Sequence, residues 1–527
     1  MAIELRHNSF QMTFREVLQG TEILLHAGNY DVTITGVQYD SRRVEPGNLF
    51  LAMRGETTDG NRYIDAAIAK GAAAVVSDSA EEQPRASIAW ARVPHGRRAL
   101  GAVSATFFGR PAEKLKLSGI TGTNGKTTTA FLLESILNSS GAGPVALIGT
   151  IEYHVAGRIT PAPHTTPESL ELQSMFAEAT DERLGSQRAH YGVMEVSSHA
   201  LAQERVYGIR FEVAAFTNLT RDHLDYHSSM EDYFQAKRRL FEGCGAAPPR
   251  FAVINADDEY GRKLLEVAAR AGSKVLSYGI AAGDFRAENV HLHADGLAFR
   301  FRTPDGGGVD LKGRLVGQVN VYNFLAACTC AHALGVNLER LPSAVAAAKP
   351  VPGRFEQVQC GQPFAVVVDY AHTDDALSNL TRLARDFVTR NGRSGRVITL
   401  FGCGGDRDRA KRPLMGEAAG RGSDFCVLTS DNPRSEDPMA IIKDALPGLE
   451  RTKTPYIVEP DRRKAITAAI GQAKSGDIVL LAGKGHEKVQ ITRAGSAPFD
   501  DVEVAREALR AAGYGVAAAG RSNGGRK

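Results

Sequence analysis

At 527 residues the chain is too long for a single hydrophobic core, and about three domains are expected. Its 43% hydrophobic and 23% charged residues exclude a globally disordered chain. A formal net charge of +3 is too small for this length to argue for or against a nucleic-acid partner, but the lack of a basic stripe interleaved with aromatics weakens that reading, and no apolar run of roughly 18 residues is present to span a membrane.

The opening stretch MAIELRHNSFQMTFREVL carries charges and no continuous apolar core, so it does not read as a signal peptide. The six cysteines, Cys244, Cys328, Cys330, Cys360, Cys403 and Cys426, form neither a CxxC pair nor a zinc-type set with histidine. They are too sparse for a disulfide scaffold. Reduced thiols and a cytoplasmic location are expected.

Residues 1–112 show short alternating segments at 32–39 and 48–53, a helical pattern over 63–70 and an apolar strand at 73–77, which together predict a small α/β domain. From Leu115 the order becomes strand, glycine-rich turn and helix: LKLSGIT, GTNGKTT, AFLLESILNSS. Buried-strand patterns follow at 191–196, 213–217, 251–254 and 275–278, predicting a mostly parallel sheet over 113–350. The alternation between Asn289 and Leu315 predicts antiparallel hairpins, and a helix follows at 321–334. KPVPGRFE reads as a linker into a third α/β domain, 351–513. Its strands AVVVDYAH, RVITLFGCGG, DFCVLTSDNPR and DIVLLAGKGH each run into a polar, glycine-bearing loop, where open parallel sheets bind ligands. Residues 514–527 are expected to be a disordered tail.

The chemistry begins at Gly122, Thr123, Asn124, Gly125, Lys126, Thr127 and Thr128. Backbone N–H groups of such a loop, with the helix N-terminus behind it, form a cradle for phosphate. Lys126 suits the outer phosphates and the Thr127 hydroxyl suits Mg²⁺. Ile120 stands where the general P-loop pattern has a glycine, so the loop is a shortened variant; the alternative is a tight turn with a chance lysine. Glu195 ends the apolar strand of MEVSSHAL and is a candidate second anchor for Mg²⁺, or else a capping residue. His223, Asp225 and His227 cluster in TNLTRDHLDYH without deciding a role alone.

GTNGKTT, HTTP, MEVSSHAL, TNLTRDHLDYH, NVYN, GRFE, DYAH, GCGGDRD, DNPR and GKGHE, in this order, resemble the Mur ligase family, over nearly the whole of 40–487. The resemblance implies a three-domain α/β architecture, with a central P-loop-type domain and a Rossmann-like C-terminal domain. It implies an ATP-dependent amide-bond ligase of peptidoglycan precursor synthesis, of the type that adds meso-diaminopimelate to a UDP-linked muramoyl dipeptide. The carboxylate is first converted to an acyl phosphate, because oxide is a poor leaving group. A monomer is expected.

Carried over residue by residue, the resemblance implies that Thr127 and Glu195 hold one Mg²⁺ near the outer phosphates, that Glu195 and His223 help hold a second closer to the acyl phosphate, and that Lys237, as a carbamate, gives the metal an anionic oxygen. That modification needs a neutral amine, which burial or the neighbouring Arg238 and Arg239 would favour; the alternative is a solvated helix lysine. Asn320, Asn323, Arg354 and Asp369 would contact ATP, with His372 in the same motif, although Asn320 is also a candidate helix N-cap. Tyr39, Ser41, Glu56, Thr57 and Thr58 would meet the uridine diphosphate; His164, Thr165, Thr166, Ser197, Gln203 and Arg205 would meet the muramoyl peptide. His164 replaces an asparagine common in that motif, and the insert at 181–190 has no assigned role. Arg407, Asp431, Asn432, Pro433, Arg434, Gly483 and Glu487 would hold diaminopimelate. A guanidinium grips its distal carboxylate with paired charge-assisted bonds, which lysine cannot answer; the bland alternative for DNPR is an Asx/proline turn.

Overall fold

The computed structural model describes residues 10–515 apart from 57, 83, 86, 294 and 390–394. Thr57 and most of the expected tail, 516–527, therefore lie outside the described residues. Tyr514, the first residue of that expected tail, packs edge-on against Phe364 at 5.7 Å.

Three larger sheets organise the chain. The first has five strands, with Gly36–Gln38, Asn48–Ala52, Ala74–Ser77 and Ala89–Arg92 parallel and Leu25–Ala27 antiparallel at the edge. Asn48–Ala52 reads as alternating in sequence, yet all five of its residues are buried. Helices Ile64–Ala69 and Gly96–Phe107 cover its opposite faces, so Phe50 joins one core cluster and Leu49 and Leu51 the other.

The central sheet has eleven strands. Lys116–Thr121 lies between Tyr191–Glu195 and Val213–Phe216, all parallel, with Ile120 opposite Glu195 and Thr121 opposite Phe216. Three neighbouring strands thus deliver the glycine-rich loop, Glu195 and the Thr217–His223 segment to one edge. Further strands extend the sheet at both ends: Glu152–Val155 and Arg158–Pro161 run antiparallel on one side, and on the other Phe285–His293 joins Lys274–Gly279 in parallel and carries Gly296–Arg302 and Gly308–Gly313 antiparallel beyond it. Helices Lys126–Ser139 and Gln318–Ala333 bury one face, through Leu133, Ile136, Phe324 and Leu325. Helix Met230–Glu242 helps bury the other, through Tyr233, Leu240 and Phe241. The insert forms a short 3₁₀ turn, Glu182–Gln187, opened by the Asp181 side chain.

Gly317 precedes the helix Gln318–Ala333, and Asn320 sits inside its first turn. The Asn320 amide donates back to Val316 O at 2.8 Å. A capping side chain accepts from the helix's N–H groups, so the N-cap alternative fails.

The third sheet has six strands, in the order Glu356–Gln357, Ala365–Asp369, Ile478–Ala482, Val397–Cys403, Phe425–Ser430 and Tyr456–Val458; all pair in parallel except Glu356–Gln357. The DYAH, GCGGDRD, DNPR and GKGHE loops leave the carboxyl ends of its strands. Strand Tyr456–Val458, the hairpin Val489–Thr492/Gly495–Pro498 and helix Asp501–Ala511 are additions to the elements expected from the sequence.

Candidate active site

The glycine-rich loop turns on two positive-φ glycines, Gly122 (146°) and Gly125 (86°). A Cβ on Gly125 would lie 2.4 Å from Asn323 Oδ1, so the loop packs directly against the first turns of Gln318–Ala333. Lys126 opens helix Lys126–Ser139 and donates to Gly122 O (2.9 Å) and Thr123 O (2.8 Å). The Thr127 hydroxyl donates to Glu195 Oε2 at 2.9 Å. Glu195, fully buried, also accepts from the Thr150 N–H and hydroxyl at 2.7 and 3.0 Å.

Lys237 is 1% exposed, which removes the reading of a solvated helix lysine. Its Nζ donates to the same Gly122 O as Lys126, at 2.8 Å, and lies 4.5 Å from the Tyr233 ring centre. Burial, reinforced by the Lys126 ammonium, pushes its amine well below the ordinary lysine range, against the pull of Asp222. The neighbouring cation is therefore Lys126, not Arg238 or Arg239, which pair with Glu242 and Glu204. Burial lowers Lys126 as well, with Glu195 and Asp222 opposing.

Asp222 escaped the sequence reading, although it adjoins His223 in TRDH. Three cationic or imidazole groups face it: His223 Nε2 at 3.4 Å, His372 Nε2 at 3.8 Å and Lys411 Nζ at 3.6 Å. Burial favours its neutral form, but these neighbours hold the carboxyl below its usual range. His223 itself adopts a left-handed backbone, φ 55°, a conformation that costs a non-glycine residue about 1–3 kcal/mol and gathers at functional sites.

Across the cleft, Arg354 reaches Thr127 Oγ1 at 3.3 Å and lies 4.6 Å from the Tyr370 ring centre. Asp369 accepts from the Phe355 and Ala371 N–H groups, and burial pushes its carboxyl up while Arg354 draws it down. Asn124 donates to Asp375 at 2.9 Å, and Arg221 pairs with Asp408 at 3.2 Å. A cavity of about 940 Å³ lies among these groups. Residues 123–128, Glu195, His223, Lys237, Asn320, Asn323, Arg354 and Asp369 line it, as do His164, Thr165, Thr166, Ser197, Arg205 and Arg407.

The remaining expected contacts lie outside its walls. Tyr39 donates to Glu171 at 3.0 Å, Ser41 begins a 3₁₀ turn, Thr58 O accepts from Gly55 N–H, and Gln203 donates to Glu56 at 2.7 Å. These residues gather where the first sheet meets the central one. The Arg205 guanidinium is already engaged, by Gln203, Thr166 O and Glu168.

Asp431, Asn432, Pro433, Arg434, Gly483 and Glu487 form a second cluster on the third sheet. Its centre is Lys484, another residue the sequence reading passed over despite its place in GKGHE. Its buried Nζ donates to Asn432 Oδ1 and Glu487 Oε2, both at 3.0 Å, with Asp431 at 3.6 Å. Asn432 Nδ2 in turn donates to Glu487 at 2.7 Å. Arg434 has φ 51° and donates to Gly405 O at 2.7 Å; a Cβ on Gly404 would lie 3.0 Å from its Nη1 and 3.7 Å from Arg407 Cγ. The two arginines therefore flank one glycine.

Residues 120–331 match the Mur ligase middle domain, 353–485 the Mur ligase glutamate ligase domain, and 33–108 the Mur ligase family catalytic domain. A UDP-N-acetylmuramoyl-L-alanyl-D-glutamate–2,6-diaminopimelate ligase from Solibacter usitatus is 53% identical over 484 residues, covering 91% of this chain and 94% of its own. The chain belongs to the Mur ligase family. A relative of the same description from Geobacillus kaustophilus is 45% identical, over 93% of this chain and 97% of its own. Among solved Mur ligase structures, one so described is 32% identical with a TM-score of 0.63, covering 95% of this chain and 99% of that one. MurF from Acinetobacter baumannii shares the fold, at 21% identity and the same TM-score, over 90% of this chain and 95% of its own.

Proposed function

We propose that this Mur ligase uses ATP to join meso-2,6-diaminopimelate to UDP-N-acetylmuramoyl-L-alanyl-D-glutamate, in cytoplasmic peptidoglycan precursor synthesis. The observation that supports the reaction type most is the cavity in which the phosphate loop, Glu195, His223 and Lys237 of the central sheet face Arg354 and Asp369 of the third. The acceptor is supported by the paired Arg407 and Arg434 and by relatives described as diaminopimelate ligases.

The glycine-rich loop and Lys126 hold the phosphates, while Arg354 reaches over Thr127 to meet charge developing on the transferred phosphoryl group. The glutamate carboxylate attacks that group, and ADP leaves. The neutral acceptor amine then attacks the acyl carbon, phosphate leaves and takes up the proton that the nitrogen loses, and the amide remains. Arg407 and Arg434 orient the acceptor by its carboxylates, with Asp431 and Glu487 facing its ammonium.

Thr127, Glu195 and His223 fit an Mg²⁺ site, being an oxygen-rich set beside the phosphate loop. Among the described residues no group of three His, Cys, Asp or Glu forms a metal cage, and Mg²⁺ ordinarily relies on one or two carboxylates plus substrate phosphates. Bound there, the cation would neutralise phosphate charge. Lys237, with its proton disfavoured, can add to CO₂ and lose a proton, giving a carbamate oxygen for the same site.

Phosphate release measured with each substrate omitted in turn tests the reaction. Release should require both the UDP-dipeptide and the amine, and meso-diaminopimelate should outcompete L-lysine by at least about 10³-fold in kcat/KM. Equal use of lysine would overturn the acceptor assignment.

A further inference from the structure

The two loops on the acceptor side start from strands that are not neighbours. Asp431 follows Phe425–Ser430 and Gly483 follows Ile478–Ala482, and Val397–Cys403 lies between these strands in the sheet. Their carboxyl ends are joined by one side chain. Arg462 begins helix Arg462–Gln472; its Nη2 donates to Ala482 O at 3.0 Å, and its Nη1 reaches Ser430 O at 3.4 Å. Nε and Nη2 also bond the Asp501 carboxylate, at 2.8 and 2.6 Å. Both partners have fully buried side chains. Asp501 begins the late helix Asp501–Ala511, packed on the helix that carries Arg462.

A buried ion pair is a poor source of stability, because desolvation offsets its attraction and apolar residues can fill the same space. What an apolar pair cannot do is bridge two carbonyls across an intervening strand. Arg462 does not line the cavity, so any effect on chemistry passes through the strand ends.

We propose that Arg462, anchored by Asp501, is a positioning residue for the acceptor amino acid. It sets the separation of Ser430 and Ala482, and hence of Asp431 and Asn432 from Gly483, Lys484 and Glu487. Lys484 completes the link, because it bonds Asn432 on one loop and Glu487 on the other. The inference rests on the reading that these loops bind the acceptor.

The test compares Arg462→Met, Arg462→Lys and Asp501→Asn in the full chain, with KM measured for the acceptor, ATP and the UDP-dipeptide, beside Tm. Acceptor KM is expected to rise about tenfold or more in Arg462→Met and Asp501→Asn, with the other two KM values within about twofold of the parent. Arg462→Lys keeps a charge for Asp501 but cannot span both carbonyls, so its Tm should stay nearer the parent while acceptor KM remains raised. Should Arg462→Met not fold, the other two variants carry the test. An unchanged acceptor KM in folded Asp501→Asn, or a common rise of all three KM values, would overturn the proposal. The assay uses whichever amine the parent enzyme prefers. An unexpected preference would therefore defeat the diaminopimelate assignment without touching this one.

Discussion

The phosphate side and the acceptor side of the cleft are built differently. On the proposed phosphate side the backbone sets the shape, through a loop turned by Gly122 and Gly125 at the end of a central strand. On the acceptor side, side chains hold one another: Lys484 to Asn432 and Glu487, Arg434 to Gly405, Arg462 to Asp501. A cradle of N–H groups accepts any triphosphate, whereas a cluster of fixed side chains can refuse a ligand that lacks one carboxylate. Rate should therefore depend most on the first region and selectivity on the second.

The largest effect should come from Lys126→Ala, which removes the charge proposed to meet the phosphates. It is expected to lower kcat by about 10³-fold with acceptor preference unchanged, in steady-state assays with paired amines. Arg434→Ala should raise acceptor KM by about 100-fold, roughly 2–3 kcal/mol, and bring lysine and diaminopimelate close together. If Arg434→Ala lowered kcat alone, the division between the two sides would collapse. Gly125→Ala is predicted to weaken ATP binding about tenfold, read by calorimetry, since its new Cβ would meet Asn323 in a backbone that disfavours side chains.

The smallest effect is a control at a residue that does not line the cavity. His154, on strand Glu152–Val155, sits between Glu134 (2.5 Å) and Glu152 (2.8 Å). Burial opposes its protonation, but these carboxylates win and raise it above its ordinary 6.5. Stability from the charged ring is thus present below pH 6.5 and lost as pH rises through the higher folded value. His154→Gln should lower the denaturation midpoint more at pH 6 than at pH 9, with all KM values unmoved.

How much the sequence discloses follows the same division. The phosphate loop is one contiguous segment whose glycines, lysine and flanking strand speak for its shape, so it is legible locally. Lys237 is not: helix Met230–Glu242 looks solvated in sequence, and only packing brings its Nζ to the carbonyl that Lys126 also uses. Asp222 and Lys484 stand inside conspicuous motifs, yet their importance comes from partners far along the chain, such as Lys411 and Asn432. The parallel core was readable from apolar runs. Tyr456–Val458 was not, because three partly exposed residues at a sheet edge carry no period.

Helix Gln318–Ala333 presents Asn320 and Asn323 to the cavity from its first turns, while ten of its sixteen residues are buried. Its later turns, from Val321 to Ala331, cannot fray piecemeal, since losing any of them would wet the most populous apolar cluster among the described residues. Affinity for ATP should accordingly persist up to the temperature at which the middle of the enzyme melts, and vanish with it in a single cooperative step.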